Sequence, residues 1–206
     1  MFIDHLVISG ETLQEAVDFV ESSLDIRMQE GGRHELFGTH NKLLALDNDL
    51  YLECIAVDAK AIKPKHPRWF NLDNFSGKPR LSNWVCSCED LKYELAKIRV
   101  DLGRVIDVSR GDYSWRITVP ENGFLPFDGC FPALIKWPSI QKHPLVTLTP
   151  SGISLKSLTI YHPNAYELQE LLSSISDERV SFRVRSYSGL SAHFSNSLGQ
   201  ETILET

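Results

Sequence analysis

Gly38-Thr39-His40-Asn41-Lys42-Leu43-Leu44-Ala45-Leu46 runs through Asp47-Asn48-Asp49 into Leu50-Tyr51-Leu52-Glu53-Cys54-Ile55-Ala56-Val57. A turn at Gly38 to Asn41, an apolar run at Lys42 to Leu46, a polar turn and a second run at Leu50 to Val57 predict two neighbouring strands. Working outward, Gly31-Gly32 precedes a strand expected around Arg33 to Phe37, and Phe2 to Ile8 reads as an opening strand. Between them, Thr12-Leu13-Gln14-Glu15 has the capping-box pattern, in which hydroxyl and carboxylate satisfy the free amides of a helix start. Leu13, Ala16, Val17, Val20 and Leu24 follow at spacings of three and four, giving an amphipathic helix. The first 58 residues therefore read strand, helix, strand, strand, strand.

The same order returns twice. A polar, proline-containing connection, Lys60 to Pro79, carries Trp69 and Phe70, which suggest that it packs against something. Leu81 to Cys88 is then a strand, and Leu91, Leu95, Ile98 and Leu102 mark a helix capped by Asp90. Arg104 to Ser109 and Tyr113 to Val119 form a hairpin around Arg110-Gly111-Asp112, and Phe131 to Trp137 is the closing strand. A third round follows Gly152: a strand at Leu155 to Tyr161, a helix that Asn164 can cap, and strands through Val180 to Val184, Leu190 to Phe194 and residues 201 to 205. The fold class is α+β, built from repeated βαβββ modules with curved mixed sheets forming a cup. Modules at 1–58 and 80–137 pair within residues 1–140, and residues 150–206 form a C-terminal module of similar architecture.

Composition narrows the function. The chain has 206 residues, 42% of them hydrophobic, with a net charge of −6. That excludes a wholly disordered or coiled-coil chain. It also argues against nucleic acid as partner, because no basic patch offsets the acidic balance. No apolar stretch approaches the roughly 18 residues of a membrane span. The amino-terminal run lacks the basic region of a signal peptide and carries Asp4 and His5 inside its apolar stretch. Four cysteines are too few for a disulfide scaffold, and Cys86 and Cys88 read as ordinary buried thiols. A cytoplasmic protein is expected. Its expected partner is a small molecule, with an acid as the leading class, and a homodimer is allowed for.

The repeated βαβββ unit resembles the vicinal oxygen chelate superfamily of glyoxalases and extradiol dioxygenases, and within it the glyoxalase-like domain family. Asp4-His5-Leu6-Val7-Ile8, Gly32-Arg33-His34, the Gly38 to Leu43 stretch with Tyr51-Leu52-Glu53-Cys54-Ile55, Ser109-Arg110-Gly111, Trp115 and Phe131 to Trp137 carry the likeness. It extends over about residues 1 to 140; the third unit matches in architecture only. The resemblance implies a small-molecule enzyme of isomerase, lyase or dioxygenase type, or a metal-free binding protein using the same cup. It also implies a divalent metal (Zn, Mn, Fe or Ni) held by His5 and Glu53, with Glu53 as the catalytic residue.

The residues themselves leave alternatives open. His5, placed on one face with Ile3 and Val7, and Glu53, placed with Tyr51 and Ile55, are polar residues inside apolar runs. A hydrogen-bonded core histidine and a glutamate on a solvated edge are the competing readings. In the second unit Trp84 takes the place corresponding to His5, and Lys136 that corresponding to Glu53; neither coordinates a metal in its ordinary state. His34, Asn41, Arg110, Trp115, Lys136 and Trp137 are the expected substrate-binding residues, with Trp84, Trp115 and Trp137 as apolar walls. Arg110 is either a carboxylate clamp or an exposed hairpin residue. His66, His143 and His162 each precede proline and read as loop positions.

Overall fold

The computed structural model describes residues 1–47, 49–139 and 143–206. Strands β1 (Phe2–Ser9), β2 (Gln29–His34), β3 (Thr39–Leu46), β4 (Leu50–Val57), β5 (Arg80–Ser87), β6 (Arg104–Arg110), β7 (Tyr113–Val119) and β8 (Ala133–Lys136) form one mixed sheet. Its order is β2-β3-β4-β1-β5-β8-β7-β6. The first strand of each module pairs in parallel with its last, β1 with β4 and β5 with β8, and the two modules meet along the antiparallel β1–β5 seam. The sheet curls until its two edge strands meet, so that Arg110 on β6 lies against Gly32 on β2. This is the expected α+β cup. A second sheet, β10-β9-β11-β12, comprises β9 (Ile153–His162), β10 (Val180–Val184), β11 (Gly189–Asn196) and β12 (Glu201–Glu205).

Local chemistry explains the elements. Helix α1 (Leu13–Leu24) starts at the capping box, with Thr12 accepting from the Glu15 amide and Glu15 accepting from the Thr12 amide. It buries Ala16, Val17, Val20 and Leu24 against the sheet. Asp90 caps α2 (Leu91–Lys97), which stops earlier than the apolar spacing suggests; Ile98 and Leu102 are buried without being helical. Asn164 stands before α3 (Ala165–Leu171) but makes no side-chain cap hydrogen bond. Strand β2 begins four residues earlier than expected, and Glu35 to Gly38 make the turn instead, closed by Phe37 and Gly38 amides on the His34 and Glu35 carbonyls.

Two apolar clusters divide the molecule. On the back of the large sheet, Leu6, Ile8, Leu52, Trp84 and Cys86 pack with α1 and with Leu155, Leu158, Ala192 and Phe194 of the second sheet. Inside the cup, Val7, Phe37, Ile55, Trp69, Phe70, Val85, Trp115, Ile117 and Ile135 form the other cluster. The Lys60 to Pro79 connection does pack: Trp69, Phe70 and Leu72 are buried over the cup, with Trp69 stacked on Phe37 at 4.1 Å. Among the described residues no helix is long and apolar enough to cross a membrane. Cys54, Cys86 and Cys130 are buried free thiols, and Cys88 is half-buried and free.

Candidate functional site

Strand alternation aims the site residues inward. On β4, Tyr51, Glu53 and Ile55 share the cup face, and β3 brings Asn41 opposite Ile55. A register shift between Ile3 and His5 marks a bulge at Asp4. The extra residue lets two consecutive side chains, Asp4 and His5, serve the cup side. His5 therefore does not share its face with Ile3, which packs on the back of the sheet. Across the antiparallel seam Val85 stands opposite His5, and Trp84 stands opposite Leu6. Trp84 is buried on the back and donates to the Cys130 carbonyl at 2.9 Å, so it is no wall of the cup. Lys136 faces away as well: on β8 it is Ile135 that lines the cavity, and Lys136 is paired with Arg116 across the ladder.

The cavity is lined by His5, His34, Asn41, Tyr51, Glu53, Trp69, Phe70, Arg110, Trp115, Ile117, Ile135 and Trp137. His5, His34, Asn41, Glu53, Arg110, Trp115 and Trp137 thus converge as expected, and Lys136 does not. The cavity's volume is about 20 Å³, room for one water molecule. An open groove of about 710 Å³ beside α1, floored by Leu44 and rimmed by Asp18, Glu21 and Arg27, is far larger. The chemistry sits in the small one.

A line of buried charges crosses its floor. Asp4 accepts from His5 Nδ1 at 2.7 Å, from Trp137 Nε1 at 3.0 Å and from His143 Nε2 at 3.3 Å. His5 Nε2 lies 3.5 Å from Glu53 Oε2, and Glu53 Oε1 accepts from Asn41 Nδ2. Asn41 Oδ1 in turn accepts from the Gly32 amide and from Arg110 Nη1, each at 2.8 Å. The two glycines make room for this: a Cβ on Gly31 would sit 2.2 Å from Asn41 Oδ1, and one on Gly32 2.7 Å from Arg110 Cδ. His5 also stacks on Tyr51, with ring centroids 4.5 Å apart.

Protonation follows from these contacts. Burial disfavours the His5 cation, but the hydrogen bonds and charges of Asp4 and Glu53 outweigh it and raise its pKa to about 9. Burial likewise opposes the Glu53 and Asp4 carboxylates. His5 and Asn41 hold Glu53 below its ordinary range, and His143 and His5 hold Asp4 well below its own. Burial alone dominates at His34, whose pKa falls to about 3. Neutral His34 places its Nδ1 3.1 Å from Thr39 Oγ1, and its Nε2 faces two donors, Arg110 Nη1 and Asn41 Nδ2. Nε2 is therefore the accepting nitrogen, and Nδ1–H donates. At neutral pH the floor carries Asp4⁻, His5⁺, Glu53⁻ and Arg110⁺.

The family's sequence model, described as a glyoxalase-like domain, matches residues 3–176. The chain belongs to the glyoxalase-like domain family. The match runs past residue 140, into the third module. A hypothetical protein from Staphylococcus aureus shares the fold, with a TM-score of 0.67 and 16% identity over 91% of this chain and 87% of that one. A methylmalonyl-CoA epimerase from Mycobacterium tuberculosis is similar at a TM-score of 0.45 and 16% identity, over 66% of this chain and 88% of its own. A variant of the Streptomyces coelicolor methylmalonyl-CoA epimerase gives 0.43 and 19%, over 66% and 97%. At those scores the epimerases say nothing about this chain's substrate. No curated protein matches the sequence significantly.

The divalent metal implied by this glyoxalase-like family can be tested against the side chains present. Two donors, His5 Nε2 and Glu53 Oε2, face each other. On β5 and β8 of the second module the cup-side residues include Val85 and Ile135, both hydrocarbon, and buried Asn83, an amide that stands opposite Val7. Among the described residues no group of three or more His, Cys, Asp or Glu could hold an ion. The donor set does not fit the family's metal centre.

Sequence reasoning missed four contributors. Asp4 was legible only as part of the strand; Tyr51 only as a neighbour of Glu53; Trp69 only as an aromatic in a polar connection. His143, read as a loop residue, is buried and reaches Asp4, Tyr51 and Trp137. His162 is likewise buried, at the end of β9, while His66 is exposed as expected.

Proposed function

We propose that this glyoxalase-like protein is a metal-independent acid–base enzyme that moves a proton on carbon beside a carbonyl group, as an isomerase or lyase does. The observation that carries the reading is the buried Asp4–His5–Glu53 chain, whose His5 Nε2 and Glu53 Oε2 stand 3.5 Å apart on the wall of one cavity. Glu53, ionised, is the base; among the described residues it is the one carboxylate lining the cavity. His5, as imidazolium, is the acid that returns the proton or protonates oxygen. Asp4 touches no substrate and acts through His5, fixing its ring and keeping it charged. Arg110 supplies a fixed positive charge that draws a negatively charged substrate group into the cavity. Removing a proton makes Glu53 neutral as the oxyanion forms, so the step itself leaves the net charge of the buried site unchanged.

The test is solvent-deuterium exchange at the α-carbon of a panel of 2-oxo acids and 2-hydroxy ketones, followed by NMR with and without chelator. Exchange that survives chelation and is lost in Glu53→Gln supports the reading. A stoichiometric metal that disappears in the His5→Ala, Glu53→Ala double variant overturns its metal-free form. The hydrocarbon at Val85 and Ile135 favours one alternative, a binding protein using the same cup, and ligand binding without exchange by the wild-type protein would establish it.

A further inference from the structure

The His34 end of the cavity holds hydrogen-bond donors that have nothing to donate to. Trp69 is 4% exposed and lines the cavity, and its indole Nε1 has no acceptor among the described residues. A buried N–H left without acceptor or water is destabilising, because the hydrogen bond it made to water in the unfolded chain is not replaced. Two other indoles avoid this: Trp84 donates to the Cys130 carbonyl and Trp137 to Asp4.

Arg110 is the second donor. Its Nη1 is engaged by Asn41 Oδ1 and faces His34 Nε2 at 3.4 Å. Its Nε and Nη2 have no hydrogen-bond acceptor among the described residues. Those two nitrogens form one edge of the guanidinium fork, the edge that matches the two oxygens of a carboxylate. The side chain is already set for this, lying along Gly32 with its guanidinium carbon 5.9 Å from the Trp115 ring and 5.5 Å from that of Tyr113.

Both donors border the same neutral imidazole: the rings of Trp69 and His34 are 4.9 Å apart, edge to face. The acidic end of the cavity is elsewhere. Asn41 turns its amide nitrogen to Glu53 and its oxygen to Arg110, so the amide separates the carboxylate from the guanidinium. An anion entering the cup meets donors at the Trp69–Arg110 end and repulsion at the Glu53 end.

We propose that Arg110 and Trp69 together form a carboxylate subsite, so that the substrate of the proposed reaction is a small organic acid. The guanidinium edge pairs with both oxygens, and the indole N–H donates to one of them. This rests on the reading of the cavity as a substrate site, and it adds an orientation: the carboxylate lies at the His34 end and the carbon to be deprotonated lies toward Glu53. A space of about 20 Å³ admits an acid only when a wall moves. The wall that carries Trp69 is the strained one. Phe70 and Asn71 hold left-handed φ values of 56° and 54°, tied down by the Asn71 amide on the Gly123 carbonyl at 2.8 Å. Non-glycine residues are strained in that region, which lowers the cost of displacing the segment.

The experiment titrates the intact chain with acetate, pyruvate and benzoate, with acetamide and benzamide as uncharged controls and inorganic phosphate as a different anion. Calorimetry gives affinities, and ¹⁵N-indole NMR follows the Trp69 N–H, assigned through its contacts to His34. The expected result is saturable binding of at least one acid, no binding of its amide, and a downfield shift of the Trp69 indole proton. Arg110→Met should weaken that binding more than tenfold. Trp69→Phe, which keeps the ring packing and removes the N–H, should weaken it about tenfold. Acids that fail to bind, a preference for phosphate, or acid binding that leaves the Trp69 resonance unmoved would overturn the proposal. The wild-type resonance decides even if Trp69→Phe does not fold. Glu53→Gln separates the two readings, because loss of α-proton exchange there leaves acid binding and the indole shift in place.

Discussion

Replacing Asp4 by asparagine changes one charge in the middle of the floor and should reveal the whole chain. The carboxylate is buried and accepts three hydrogen bonds, from His5, Trp137 and His143. An asparagine oxygen can keep at most two of these, and its new NH₂ group faces donors in place of acceptors. Removing one partner of a buried, hydrogen-bonded ion pair costs about 3–5 kcal/mol, a large part of the roughly 5–15 kcal/mol that holds a domain together. The pH dependence makes the prediction specific. His5 has a pKa of about 9 in the folded chain against 6.5 as its ordinary value, which corresponds to about 3 kcal/mol in favour of the charged form. Because the folded value is the higher one, this stability is fully present below pH 6.5 and is lost as the pH rises through 9. In Asp4→Asn the histidine loses its strongest partner, its pKa falls, and most of that slope disappears. The gap between the two proteins should therefore be widest near pH 6 and shrink by up to about 3 kcal/mol by pH 10. Urea denaturation at several pH values, with NMR titration of the His5 ring, measures both. A gap that stays constant with pH, or a wild-type His5 titrating near its ordinary value, would refute the charged-chain argument.

Gly32→Ala places a methyl 2.7 Å from Arg110 Cδ. The flexible side chain should yield, costing under about 1 kcal/mol of stability while weakening acid binding several-fold by calorimetry. Trp84→Phe strands the buried Cys130 carbonyl and should lower stability by about 1–3 kcal/mol, with acid affinity unchanged because the ring lies behind the sheet. Lys136→Ala should alter neither binding nor α-proton exchange beyond about twofold, since Ile135 and not Lys136 faces the cavity.

Much of the cup was readable because strands keep a period of two and the modules repeat. Once Leu50 to Val57 is a strand and Ile55 is core, Glu53 must face the same way. Once the hairpin turns at Gly111, Arg110 must stand at the rim. The same rule explains the errors. A period of two turns a one-residue slip into a change of face, and β1 contains such a slip. Placing His5 on one face with Ile3 assumes an unbroken strand; the bulge at Asp4 leaves Ile3 on the back of the sheet and turns His5 into the cup. A bulge has no reliable signature when the extra residue is an aspartate whose partners arrive from distant parts of the chain.

Those partners show where the remaining information lay. Trp137 ends the second module, and His143 sits in the connection to the third; both converge on Asp4 because the β1–β5 seam places the first strand at the centre of the sheet. Nothing local requires His143 to be buried, since His-Pro is a turn pattern on its own. Its burial is a tertiary consequence of an unpaired carboxylate that has to be satisfied once the sheet covers it. Trp69 is the converse case. Its aromatic ring announced burial from sequence, but an orphaned indole N–H exists only in three dimensions, as the absence of an acceptor where the cup closes. Together the two cases divide the labour of the site. Strand residues such as Glu53 and Arg110, fixed by periodicity, bring the charges, while connections such as those carrying Trp69 and His143 decide how those charges are paired and which of them remain available to a ligand.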